Sequence, residues 1–327
     1  MDGKSILITG GSGSFGNAFA RYALDSLNPR RVIVFSRDEF KQFEMQKRFP
    51  DPRMRFFIGD VRDERRMRTA FRGVDIVIHA AALKCVPIGE IHPTEFNATN
   101  IIGTENVIEA CRDAGVDRAV LLSTDKAVMP VNHYGVTKAN AEHTFISSNL
   151  EYKTKFSVVR YGNIVGSRGS VIPLFLEMAR DGEILITDYR MTRFVMELSE
   201  AVKLVKDALK WMTGGEIFIP KLESVRIGDL ARIIGGASCK YRETGIRAGE
   251  KLVEWLISPE EVRKTVEFEG VYQIIPETEW YKPPERFCGT PLDMDFIYNS
   301  ENTKKWVSDE RLRQIISDIK KSAAQHQ

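Results

Sequence analysis

An α/β fold built on a doubly wound parallel sheet is what this chain of 327 residues predicts, and three observations predict it. Short apolar runs alternate with longer amphipathic stretches through the first half. The first run ends directly in Thr9-Gly10-Gly11-Ser12-Gly13-Ser14-Phe15-Gly16, and the fifth opens into Leu121 to Lys138, a stretch dense in groups that move protons. Strands buried on both faces read as continuous apolar runs, with the helices between them covering the sheet. Ligands in such sheets bind at the carboxyl ends of the strands.

Taken in order, Ser5 to Thr9, Arg31 to Phe35, Met54 to Ile58, Asp75 to His79, Arg118 to Leu122 and Phe156 to Arg160 read as buried strands. Helices are expected between them at Ser14 to Asp25, Glu39 to Arg48, Glu64 to Phe71, Thr94 to Asp113 and Tyr134 to Ser148. Beyond Arg160 the pattern loosens into glycine-bearing loops, a helix near Pro173 to Arg180 and a strong one at Leu198 to Trp211. The remainder mixes short elements, with a proline-rich link at Lys282 to Glu285. This divides the chain into a dinucleotide-binding domain over 1–165 and a smaller, interleaved α/β substrate lobe over 166–327. Part of 192–222 is expected to return to the first domain.

Composition narrows the function. Forty-seven basic against forty-five acidic residues leave a formal charge of +2, which supplies no field for a nucleic acid or an anionic membrane. Cys85, Cys111, Cys239 and Cys288 form no CxxC pair, so neither a zinc site nor a disulfide framework is expected. No signal-like segment or membrane-length apolar window is present, so the expected location is the cytoplasm.

The glycine motif places Gly10, Gly13 and Gly16 between a strand and a helix, with Ser14 and Phe15 opening that helix. Glycines allow a tight turn and close approach of backbone to a pyrophosphate, and the helix N-terminus offers free N–H groups. This is the Rossmann arrangement. Ser36, Arg37, Asp38 and, a turn later, Lys41 stand after the second strand, where the adenine ribose lies. An acid there suits NAD, whereas Ser36 and Arg37 suit the 2′-phosphate of NADP, the cofactor expected here, with Asp38 capping the next helix. Asp60 and Val61 end the third strand; Ala80 and Ala82 end the fourth, followed by Lys84. In the central stretch, Ser123, Thr124, Asp125 and Lys126 precede Tyr134, and Lys138 follows at i+4, on the same helical face. A lysine so placed is expected to lower the phenol pKa and make it a base.

These residues resemble the extended short-chain dehydrogenase/reductase family of nucleotide-sugar enzymes, through TGGSGSFG (9–16), HAAALK (79–84), Thr124, and Tyr134 with Lys138. More closely, SRDEFKQ (36–42), LSTDKA (122–127), RYGNIVGSRGSVIP (160–173), TDYRMTRF (187–194) and GIRAGEKL (245–252) are similar to the inverting UDP-N-acetylglucosamine 4,6-dehydratases that begin pseudaminic acid synthesis, a route to surface glycans or modified flagellin. Ala248 stands where that family has proline and Val253 where it has histidine, and 260–295 looks unlike it.

The resemblance implies NADP-dependent, redox-neutral removal of water from UDP-N-acetylglucosamine with inversion at carbon-5, giving a UDP-4-keto-6-deoxy-L-arabino-hexosamine. Tyr134, Lys138 and Thr124 would act at carbon-4. Asp125 and Lys126 would act at carbon-5 and carbon-6, with Lys126 a base of depressed pKa where retaining relatives carry Asp-Glu. Tyr161 would lie by the nicotinamide. Lys84, Asn163, Gly169, Ser170, Val171, Thr187, Arg193, Arg247 and Glu250 are the candidates for the nucleotide sugar. A homo-oligomer is implied, from dimer to hexamer. An epimerase or retaining dehydratase, and a non-enzymatic cofactor-binding module, are the other readings.

Overall fold

The computed structural model describes residues 1–166, 170–278, 281 and 289–324, with side chains through 321. The proline-rich link at 282–285, Cys288 and the candidate Gly169 lie outside the described residues.

Six strands lead the chain: β1 (Ser5–Thr9), β2 (Arg31–Ser36), β3 (Met54–Ile58), β4 (Ile76–His79), β5 (Arg118–Leu122) and β6 (Lys155–Val159). They pair in parallel in the order β3-β2-β1-β4-β5-β6, and Ile217–Pro220 adds a seventh parallel strand beside β6. Val271–Ile274, Thr265–Phe268 and Thr290–Pro291 extend that edge antiparallel. The order reverses between β1 and β4, which opens a crevice at their carboxyl ends. Residues such as Ile6, Leu7, Ile8, Val77, Ile78 and Val120 are fully buried because helices cover both faces. Leu198–Trp211 joins them by inserting Val202, Val205, Ala208 and Leu209 into the same core.

A second core gathers Ile172, Phe175, Ile184, Ile186, Val225, Leu230, Leu312 and Ile315. Around it lie a three-stranded sheet of Asn163–Ile164, Thr192–Met196 and Glu223–Arg226, and a parallel pair, Glu183–Ile186 with Lys240–Glu243. A separate pair, Trp255–Ile257 with Tyr298–Asn299, packs onto the main core.

The continuous helix expected over Thr94 to Asp113 is instead three joined pieces: Pro93–Phe96, a π-turn at Asn97–Ile102, and Gly103–Ala114. The π-turn carries Asn100, whose side chain accepts from Leu83 N–H at 2.8 Å and donates to Leu83 O at 2.9 Å and Thr137 Oγ1 at 3.0 Å. Single π-turns inside helices are common at functional sites. This one locks the segment after β4 to the helix His133–Ser147. A second buried chain fixes the ends of β1 and β4. Thr9 Oγ1 accepts from the Ala80 and Ala81 amides, which leaves its proton for His79 Nδ1 at 2.7 Å; His79 Nε2–H then meets Thr104 Oγ1 at 3.0 Å. Burial, with the Lys138 charge adding to it, pushes the His79 imidazole down to about 3, so the ring is neutral.

Among the described residues no helix is long and apolar enough to cross a membrane, and no group of three His, Cys, Asp or Glu is placed to hold a metal ion.

Candidate active site

The carboxyl ends of β1 to β4 frame a cleft of about 880 Å³. Its floor is the turn Gly10 to Gly16. Gly10 has φ +64°, and a Cβ on it would stand 2.9 Å from Ala81 Cα; a Cβ on Gly16 would stand 2.2 Å from Gly11 O. Only glycine lets this backbone pass so close. The helix Ser14–Ser26 starts on the cleft with no side-chain cap, leaving its first N–H groups free for an anion. Of the residues expected to hold a dinucleotide, Gly10, Gly13, Ser14, Phe15, Gly16, Ser36, Arg37, Asp38, Lys41, Asp60, Val61, Ala80, Ala82, Lys84 and Tyr161 line it. Thr99, also in the lining, has a buried Oγ1 without a hydrogen-bond partner among the described residues. A glycine cradle, a free helix end and an unpartnered hydroxyl together fit a dinucleotide.

At the ribose end, Asp38 is already engaged. Its Oδ1 accepts from Lys41 N–H at 2.9 Å as the cap of Glu39–Arg48, and its Oδ2 pairs with Lys41 Nζ. Arg37 sits 3.5 Å from Asp60, which Arg62 also holds at 2.7 Å. Arg37, Lys41 and Arg48 therefore bring three cations to this edge.

Beside the cleft, β5 ends in Ser123 to Lys126. Thr124 caps a short turn, Asp125–Ala127, and its Oγ1 donates to Asp125 Oδ1 at 2.9 Å. The same oxygen accepts from Lys126 Nζ at 2.9 Å, and Asn163 Oδ1 lies 3.4 Å from that amine. Tyr134 opens His133–Ser147 under the Asn132 cap, with Thr124 in hydrogen-bonding reach of its phenol. Lys138, one turn on, donates to Leu122 O at 2.7 Å.

Two electrostatic expectations need correction. Lys138 does not draw the phenol down: burial dominates and raises Tyr134 to about 12, with Lys126 the cation that opposes it. Nor is Lys126 depressed. Burial lowers it, but Asp125 and Glu254 together outweigh burial and hold it above the usual lysine range. Lys126 is an ammonium, not a free amine. Asp125, fully buried, is raised by burial and by Glu254 against the pull of Lys126. Burial instead lowers Lys138, to about 8, and also lowers Lys84 and Lys251.

A model of the polysaccharide biosynthesis protein family matches residues 6–276, most of the chain. The chain belongs to that family, within the extended short-chain dehydrogenase/reductases. Similar members include the inverting UDP-N-acetylglucosamine 4,6-dehydratase of Campylobacter jejuni, 46% identical over 96% of this chain and 97% of that protein. A UDP-glucose 4-epimerase of Rickettsia bellii is 43% identical over 92% of each chain. Among solved structures, Pen from Bacillus thuringiensis superposes with a TM-score of 0.87 at 35% identity, covering 97% of this chain and 98% of that one. The dTDP-glucose 4,6-dehydratase DesIV of Streptomyces venezuelae, solved with NAD bound, gives 0.70 at 26% identity, covering 76% and 86%.

In this family member the other candidates are dispersed. Asn163, Ser170, Val171 and Arg193 meet in a smaller pocket against the second core, where Ser170 Oγ is buried without a partner among the described residues. Arg247 is exposed and Glu250 bonds back to its amide at 3.1 Å; these two and Thr187 line neither cavity. Their loop is nonetheless docked on the site, since Asn132 Nδ2 donates to Gly249 O at 2.8 Å and Lys251 Nζ bonds Val128 O at 2.6 Å. Lys251 and Glu254 escaped the sequence reading. The available signal was an acid set inside the apolar run Leu252 to Ile257.

Proposed function

We propose that this chain is an NADP-dependent, configuration-inverting UDP-N-acetylglucosamine 4,6-dehydratase whose product feeds pseudaminic acid synthesis in the cytoplasm. The observation that carries the reading is the ion pair Asp125–Lys126, set 2.9 Å apart at the mouth of β5 beside Thr124 and Tyr134. The Campylobacter relative of that name supports it. Gly10, Gly13, Ser14 and Gly16 would hold the pyrophosphate, and Ser36, Arg37 and Lys41 the 2′-phosphate. Bound there, the dinucleotide supplies reversible hydride transfer, so the sugar is oxidised at carbon-4 and reduced at carbon-6 with no net redox change.

The chain's own residues move the protons. Tyr134, within reach of Thr124, would accept the 4-hydroxyl proton as its tyrosinate, a form that burial opposes and that Lys126 and the positive ring of a bound oxidised dinucleotide would favour. Once carbon-4 is a ketone, the carbon-5 proton is acidic. Asp125 takes it: burial makes this carboxylate a stronger base, and the adjacent ammonium keeps it ionised. Lys126 is the proton donor of the pair: it would protonate the departing 6-hydroxyl, so that the C6–O bond breaks and water leaves, and, recharged from Asp125 at 2.9 Å, would protonate carbon-5 once carbon-6 is reduced. A proton returned by the group that removed it gives retention, so inversion calls for two separate groups, and Asp125 and Lys126 are two. Asn163 and Arg193, which line the smaller pocket beside the pair, would meet the substrate there.

The test is incubation with UDP-N-acetylglucosamine and no added cofactor. Loss of one water, deuterium uptake from deuterated water at an inverted carbon-5, and NADP released on denaturation are expected. A product of unchanged mass would favour the second reading, an epimerase, which the Rickettsia relative keeps in view. We also infer a homo-oligomer formed through the helices bearing Ile91, Ile102 and Val136, apolar residues left exposed. Light scattering should show more than one copy per particle at micromolar concentration.

A further inference from the structure

Glu254 is only 3% exposed, yet among the described residues its carboxylate makes no ion pair closer than 3.5 Å. Oε1 lies 3.5 Å from Lys126 Nζ and 3.8 Å from Arg193 Nε, Oε2 lies 3.8 Å from Lys251 Nζ, and Oε2 has no hydrogen-bond partner among the described residues. The backbone fixes its place instead. Glu254 N–H donates to Ser300 Oγ at 2.9 Å and Ser300 N–H donates to Glu254 O at 2.8 Å, so the residue is clamped from the strand Tyr298–Asn299. A buried carboxylate is costly unless direct hydrogen bonds compensate it. Holding one within reach of three cations, without closing on any, is a poor way to stabilise a fold and an effective way to set a field.

We infer that Glu254 is a positioning residue of the reaction, acting through Lys126 by keeping its amine charged and steadied between Asp125 and Asn163, with Arg193 held on the other side. The inference rests on the reading of Asp125–Lys126 as the proton-transfer pair. The groups facing Lys126 are Asp125 from its own turn, Tyr134 from the next helix, Lys84 after β4, Arg193 from the three-stranded sheet, and Lys251 and Glu254. Of these, Asp125 and Glu254 favour the ammonium, while burial and Arg193 oppose it. Without the Glu254 charge, one of two supporting carboxylates is gone and Arg193 is left uncompensated.

The experiment follows the titration of Lys126 by NMR in lysine-labelled full-length protein, with the signal assigned by its loss in Lys126→Arg. In Glu254→Gln the midpoint should fall by about one unit or more, at least tenfold in proton affinity. In Glu254→Asp, which keeps the charge but moves it, the fall should be smaller. With UDP-N-acetylglucosamine, the alkaline limb of the kcat profile should move to lower pH in Glu254→Gln, with KM changed only a few-fold, and Glu254→Asp should restore most of it. A midpoint that does not move in Glu254→Gln overturns the inference. Should that variant not fold, an unmoved midpoint in Glu254→Met, which also removes the charge, overturns it equally. The NMR arm needs no substrate, so a wild-type protein that forms no dehydrated product defeats the proposed activity while leaving Glu254 to be judged on the titration.

Discussion

Two buried charge clusters, one around Arg160 and one around Lys126, are built on opposite terms. Arg160, just after β6, spends all five of its N–H donors: on Glu142 at 2.6 and 3.2 Å, on both oxygens of Glu261 at 3.0 Å, and on Leu256 O at 3.0 Å. The Lys126 cluster is looser, spanning 2.9 to 3.8 Å and leaving Asp125 Oδ2 and Glu254 Oε2 without hydrogen bonds among the described residues. A satisfied network fastens elements together, here β6, the helix carrying Tyr134 and the capping box Ser258–Glu261. An incompletely satisfied one keeps oxygens available for a reacting partner.

Lys126→Ala should separate the two most sharply. Loss of a positioned proton-transfer group typically costs about 10²- to 10⁴-fold in rate. The variant should keep its dinucleotide, with some loss of stability because Asp125 and Glu254 lose their nearest cation, yet give neither product nor deuterium exchange at carbon-5. Turnover at the wild-type rate would remove the functional side of the contrast. Arg160→Met should do the reverse, leaving the buried Glu142 and the half-buried Glu261 without their cation at a cost of about 3–5 kcal/mol. Urea unfolding measures this, and partial recovery on adding Glu142→Gln would identify the stranded carboxylate as the cause. An unchanged urea midpoint would mean that Arg160 does not fasten the fold.

The smallest effect belongs to Lys138, which lies one turn from Glu142 and is supported by its charge. Its pKa is about 8 in the folded protein against 10.5 unfolded. Below pH 8 both states are protonated and the folded state carries the full cost of a buried ammonium. Between about 8 and 10.5 the unfolded state binds more protons, so the wild-type contribution to stability rises with pH. Lys138→Met should therefore melt higher than wild type near pH 7, with the gap closing as pH rises through this window. A constant gap would place the Lys138 titration elsewhere.

What could be read in the sequence follows from how local each signal is. β1, β2 and β4 to β6 announce themselves because strands covered on both faces must be largely apolar, whereas β3, at the sheet edge with Ile58 exposed, shows a weaker run; the glycine turn stands out because three glycines meet a strand and a helix within eight residues. Tyr134 and Lys138 are tied by helical spacing alone. Glu254 is joined to Lys126 by a fold that brings together residues far apart in the chain, and no period encodes that meeting. The charge states failed for the same reason: neighbours in sequence suggested that lysines would depress Lys126, whereas in space two carboxylates face it. Arg247, Glu250 and Thr187 carry the right chemistry, but the chain turns them away from both cavities.

The π-turn at Asn97–Ile102 has a consequence for how this chain tolerates insertions and deletions. A π-turn holds one residue more than the α-helical turn it interrupts, and each residue rotates a helix by about 100°. Deleting one residue there would restore a regular helix, so the loss would leave no gap. It would instead swing everything before the turn through roughly that angle relative to Gly103–Ala114. Phe96, whose ring meets Tyr134 edge-on at 6.5 Å, would leave the phenol, and Asn100 would lose Leu83 and Thr137 together. The extra residue thus sets the helix's phase at the active site.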